Sequence, residues 1–139
     1  MRKIAVSLLV VASFNAQAAA CNKPIYLTFD TGNMDVAEHV AQVLRKHEVK
    51  ATFFLANEKT KRGDYSLDDS WAGYWQALKK DGHAFGNHTY FHTYLVKDFD
   101  SSTVVVKSQF GPDANKARKI SQDGLCADLN LVKQRFQKL

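Results

Sequence analysis

The chain has 139 residues, 45% of them hydrophobic and 24% charged, which excludes a fibrous or disordered chain and leaves room for one ordinary globular domain. Its formal net charge of +5 is modest. Lys116, Arg118, Lys119, Lys133, Arg135 and Lys138 read as solvated positions, not as a nucleic-acid footprint.

Residues 1–20 have the order of a secretory signal: Arg2 and Lys3, an apolar run from Ile4 to Ala12, then small residues ending Ala16-Gln17-Ala18-Ala19-Ala20. The run is too short for a permanent bilayer anchor, and nothing after it is long and apolar enough to be one. The expectation is therefore an exported, soluble protein, periplasmic or extracellular, with a single domain over residues 21–139. Cys21 and Cys126 are its two cysteines, and export favours pairing them. A lipid-anchored Cys21 and two buried free thiols stand as alternatives.

Ile25-Tyr26-Leu27-Thr28-Phe29 is β-branched and aromatic, as a buried strand is, and puts Asp30 at the strand's C-terminal end. Val36, Val40, Val43 and Leu44, joined by Ala37 and Ala41, then recur at helical spacing after Asp35. Ala51 to Ala56 is a second strand, whose unbroken hydrophobicity suits a parallel sheet covered on both faces. After a polar loop, Ser70 stands as the cap of a helix carrying Trp71, Tyr74, Trp75 and Leu78, which Gly82 closes. His83 to Asn87 is a shorter strand leading into His88-Thr89-Tyr90-Phe91-His92. From Thr93 to Gly124 periodicity fails apart from a weak extended run at Val104, Val105 and Val106, so a long loop is expected there. Leu125, Leu129, Val132, Phe136 and Leu139 mark a last helix.

Three residues stand out chemically. Asp30 lies where α/β folds place reactive groups, although an Asp there also serves as a helix cap. His88 and His92, four residues apart, bring two imidazoles to one side of a turn, a spacing that grips a metal ion. His39, His47 and His83 have no such partner and read as surface or packing residues.

Thr28-Phe29-Asp30-Thr31-Gly32, Lys50-Ala51-Thr52-Phe53-Phe54 and Gly86-Asn87-His88-Thr89-Tyr90-Phe91-His92 together resemble the polysaccharide deacetylase family, the NodB-homology or carbohydrate esterase family 4 domains. The likeness runs over residues 23 to 95 in the family's order. It implies a distorted (β/α) barrel of α/β class, here a partial one, and hydrolytic removal of N-acetyl groups from an N-acetylated polysaccharide. It further implies Asp30 as general base, His88 and His92 as ligands of a divalent metal ion, zinc or similar, and Thr89 as a support of the histidine turn.

The departure is Thr31, which stands where the family carries a metal-binding Asp. A neutral hydroxyl is a poor ligand, so the cation is expected to bind weakly. The chain also has no histidine after His92 and no Arg-x-Pro segment, both of which the family's later motifs contain. These gaps mark it as a C-terminally truncated family member with little activity of its own.

Other readings compete less well. Asp30-Thr31-Gly32 spells the aspartic protease triplet, but it runs into a helix, whereas those proteases are all-β. Thr89 occupies the place of the glutamate in a His-Glu-x-x-His protease. A phosphate-transferring hydrolase would carry a second Asp where Gly32 stands. A noncatalytic carbohydrate-binding relic remains the alternative from another class, with Trp71, Trp75, Tyr90 and Tyr94 available to stack on sugars, although the helical phase of the two tryptophans fits core packing better.

Overall fold

The computed structural model describes residues 23–139. The proposed signal and Cys21 lie outside the described residues, and Cys126 is exposed on the last helix.

A strand, helix, strand, helix, strand succession opens the fold: β1 (Thr28–Asp30), α1 (Ala37–Lys46), β2 (Thr52–Leu55), α2 (Ala72–Lys80) and β3 (Ala84–Asn87). The three strands are parallel in the order β1-β2-β3. Sequential order combined with right-handed crossovers puts both connecting helices on one face. That face carries the cross-strand row Phe29, Phe53 and Phe85, with ring centroids 5.3 and 6.2 Å apart. Trp75 meets Phe53 and Phe85 edge-on, and Trp71, Trp75, Leu55, Leu67 and Leu78 are almost wholly enclosed. The two tryptophans are therefore core, and neither is a surface for stacking sugars.

The opposite face holds Asp30, Phe54 and Gly86 in register, because side chains alternate along a strand. It is only partly covered: Phe53 and Leu55 are buried, whereas Thr52 and Phe54 are half-buried. The expectation of a sheet covered on both faces does not hold, since every helix packs on the aromatic row. Gly86 is required here, because any Cβ would collide with the Phe54 ring.

Two local expectations also change. The first strand begins at Thr28, leaving Ile25 and Tyr26 exposed ahead of it. Ser70 does not cap α2; its hydroxyl donates to Asp64 Oδ2 at 2.6 Å, and a 3-10 turn at Asp69–Trp71 leads into the helix. Hydrogen bonds from Ser70 and from Thr60 lower the Asp64 carboxyl to about 2.

The largest correction lies in the expected loop from Thr93 to Gly124. It contains an antiparallel meander, β4 (Thr93–Asp98), β5 (Thr103–Ser108) and β6 (Ala117–Ser121). β4 is exposed along almost its whole length, and its pairing slips between Leu95 and Lys97. An irregularity shifts the alternation of faces, so hydrophobicity carried no period to read.

Helix α3 (Gln122–Lys138) follows β6 directly, capped by Ser121, whose hydroxyl accepts from the Gly124 N–H at 3.3 Å. Val132 joins the core under the parallel sheet, and Phe136 lies 4.8 Å from the Phe85 ring. The architecture is α/β with two separate three-stranded sheets, and neither is closed into a barrel among the described residues. No helix among these residues is long and apolar enough to cross a membrane.

Candidate active site

The parallel sheet delivers its chemistry at the C-terminal ends of its strands. Asp30 is the last residue of β1 and projects on the face away from the helices, with its side chain 59% exposed. It does not cap α1, whose N-terminus has no side-chain cap. His88 continues β3 by one residue, its N–H donating to Leu55 O at 2.9 Å. Alternation from Gly86 puts it on Asp30's face, with Nε2 3.8 Å from Asp30 Oδ2. The turn after it returns His92 to the same place, with the two imidazole centroids 4.3 Å apart.

That turn is built on unusual backbone. Thr89 and His92 both have positive φ, 62° and 51°, a region that costs a β-branched residue in particular. Several neighbours hold the turn in this shape. The Asn87 side chain accepts from the Thr89 N–H at 2.9 Å and donates to Leu129 O at 2.7 Å. Thr89 Oγ1 accepts from the Thr93 N–H. The buried carboxylate of Asp128 accepts from the Tyr90 N–H at 3.0 Å through Oδ1, while its Oδ2 has no partner. From the meander, the Gln109 N–H donates to Phe91 O and His92 O at 3.2 and 3.3 Å.

Thr31 faces elsewhere. Its side chain is buried, donating to Ala56 O at 3.1 Å and accepting from the Ala56 N–H at 2.8 Å. The hydroxyl thus locks the loop after β1 to the end of β2 and is not free to ligate. His83 is likewise structural: its Nδ1 accepts from the Ala51 N–H at 3.1 Å, and burial, aided by Lys50, lowers its pKa.

Glu58 went unread in the sequence, where it sits in a polar stretch. Oε1 of Glu58 lies 2.6 Å from His92 Nδ1, and its side chain is 14% exposed. A signal for it existed, because Asn57-Glu58 follows β2 as Asp30 ends β1 and His88 follows β3, all at the sheet edge where reactive groups gather.

A groove of about 560 Å³ opens beside Glu58, lined by residues that include Asn33, Asn57, Tyr65, Tyr90 and Phe91. Asn57 ties it together by donating from Nδ2 to Tyr90 Oη at 2.9 Å. As for a divalent cation, two adjacent imidazoles have the right donor chemistry for zinc or a similar ion. The third donor expected at position 31 is turned away, and among the described residues no three His, Cys, Asp or Glu side chains form a ready cage.

A model of the polysaccharide deacetylase family matches residues 17–138. The chain belongs to the polysaccharide deacetylase family. It is 34% identical over 74 residues to a peptidoglycan-N-acetylglucosamine deacetylase of Bacillus cereus, an alignment covering 52% of this chain and 24% of that one. It is 36% identical over 96 residues to a chitin disaccharide deacetylase of Vibrio alginolyticus, covering 66% and 22%. A chitooligosaccharide deacetylase of Azorhizobium caulinodans is 36% identical over 72 residues, covering 51% and 30%. The chain thus spans about a quarter of the length of the curated deacetylases it matches. No solved structure matches it significantly.

Proposed function

We propose that this chain is the front part of an exported polysaccharide deacetylase that removes N-acetyl groups from a glycan, with Asp30 as general base and His88 and His92 holding a divalent cation, zinc or similar. The observation that carries this reading is the convergence of Asp30, His88 and His92 at one end of the parallel sheet, in a chain whose relatives include deacetylases named for peptidoglycan N-acetylglucosamine and for chitin disaccharide. In this reading the β1-β2-β3 layer is the first arc of a (β/α) barrel, with its open face toward the interior.

Asp30 is exposed and free to accept a proton from water as that water attacks the acetamide carbonyl. Collapse of the tetrahedral intermediate breaks the C–N bond, giving acetate and a free sugar amine. A divalent cation held by His88 and His92 would supply Lewis-acid polarisation and a more acidic water. Tyr65, Tyr90, Phe91 and the asparagines of the neighbouring groove offer the aromatic and amide surface that a sugar ring needs.

The test is acetate release from N-acetylated chitin and peptidoglycan oligosaccharides. Turnover by the 139-residue chain is expected to be weak. It has no histidine beyond His92 to protonate the leaving amine, and general-acid catalysis contributes roughly 100- to 10,000-fold. Whatever acetate is released must vanish with Asp30→Asn. Activity that survives that substitution removes Asp30 from the role of base.

A further inference from the structure

We propose that Glu58 carries the negative charge that Thr31 lacks, acting on the cation through His92. The proposal rests on the reading of His88 and His92 as cation ligands.

The first observation is the position of the carboxylate. Glu58 Oε1 meets His92 Nδ1 at 2.6 Å, and Oε2 lies 3.6 Å from where a Cβ would stand on Gly32. The group therefore hangs over the loop that carries Thr31 while touching a histidine ligand, so an acid missing at position 31 is present in space from the next strand end.

The second observation is how firmly it is held. The Glu58 N–H donates to Ser66 Oγ at 3.1 Å, the Ser66 N–H donates to Glu58 O at 2.8 Å, and Ser66 Oγ donates to Ala56 O at 2.6 Å. Ser66 is completely buried. Ala56 is also the residue that Thr31 grips through both its N–H and its carbonyl. The threonine that displaces the family's aspartate thus anchors the segment that presents the glutamate, and the two features form one device.

The chemistry follows from the ring. A carboxylate only accepts hydrogen bonds, so Nδ1 of His92 carries the hydrogen, and in the neutral ring that a cation requires Nε2 is then the nitrogen with the lone pair. A carboxylate behind a ligating imidazole fixes its tautomer and orientation and raises its basicity, and loss of such a partner costs about 10- to 100-fold in metal affinity. Glu58 is on this account a positioning residue, and His92 is set for a cation before one arrives.

The test combines zinc titration by calorimetry with nitrogen-15 NMR of the histidine rings in the metal-free protein. In the wild-type chain His92 should be the Nδ1–H tautomer, and a dominant Nε2–H form overturns the proposal without any substitution. Glu58→Gln should weaken zinc binding by about 10- to 100-fold and mix the His92 tautomers, with Glu58→Asp recovering part of both. Unchanged affinity and tautomer in a folded Glu58→Gln protein, while His92→Ala abolishes binding, overturns the role of Glu58 and leaves the cation site standing. If the wild-type chain binds no zinc or other divalent ion, the cation reading falls, and Glu58's role in it falls too.

Discussion

The two sheets of this molecule divide its labour. The parallel layer buries a continuous aromatic row beneath three helices and presents Asp30, His88 and Glu58 at its strand ends. The antiparallel meander is lopsided: Leu95 and Val96 on β4 are 61% and 48% exposed, Ile120 is the one buried residue of β6, and β5 alone is enclosed, with Val105, Val106 and Ser108 buried. Yet the meander grips the histidine turn from behind, through Gln109 and through Thr93. The shape of the site is thus shared: Asn87 of the parallel layer and Asp128 of α3 hold the histidine turn from one side, and the meander holds it from the other.

The contrast breaks most plainly by truncating its extremes. Trp75→Ala, which removes a 2% exposed ring and its indole hydrogen bond to Ser66 O, should cost about 3–5 kcal/mol in urea unfolding. Leu95→Ser should stay within about 0.5 kcal/mol. Comparable losses at the two positions would mean the meander is a structural equal of the parallel layer.

A smaller effect is expected at the junction of β1 and β2. Thr31→Val keeps the shape but leaves the fully buried Ala56 N–H without its acceptor, at a cost of roughly 1–3 kcal/mol. Denaturant midpoints measure the loss. A neutral result would show that Thr31 is not a tie between the strands.

The smallest effect depends on pH. His83 has a folded pKa below the ordinary imidazole value of 6.5, because burial disfavours its charge and Lys50 adds repulsion, against the opposing pull of Asp81. The unfolded chain therefore binds more protons below pH 6.5. The contribution of neutral His83 is complete above that pH and declines as the pH falls from 6.5 toward the folded value. The stability difference between wild type and His83→Gln should accordingly narrow between pH 7.5 and pH 5.5. A constant difference would show that the Ala51 hydrogen bond does not depend on a neutral ring.

Much of the parallel layer was legible because its residues obey simple periods. The run of Thr52 to Leu55 and the seam of Trp71, Trp75 and Leu78 each place a buried face, whereas on α1 the small residues Ala37 and Ala41 are buried with Leu44 and the valines Val36 and Val43 are exposed. Asp30, His88 and His92 were visible as residue types at strand ends. The meander escaped because β4 has no buried face and slips its pairing at Leu95 to Lys97, so backbone hydrogen bonds define it and side-chain chemistry does not. Glu58 escaped because its place after β2 marks only a strand end, and its partner, 34 residues away in sequence, is brought to it by the fold.

One plain feature of the first strand bears on how the protein can be handled. β1 has three residues and pairs only with β2 among the described residues, and the segment before it leaves Ile25 94% and Tyr26 84% exposed. Unpaired backbone beside exposed apolar side chains is a template onto which a second chain can add a strand. Self-association is second order in protein, so concentration governs it: dilute samples should remain monodisperse in light scattering, while concentrated ones grow. A charged residue at Tyr26 is the natural gatekeeper for anyone preparing this chain for NMR.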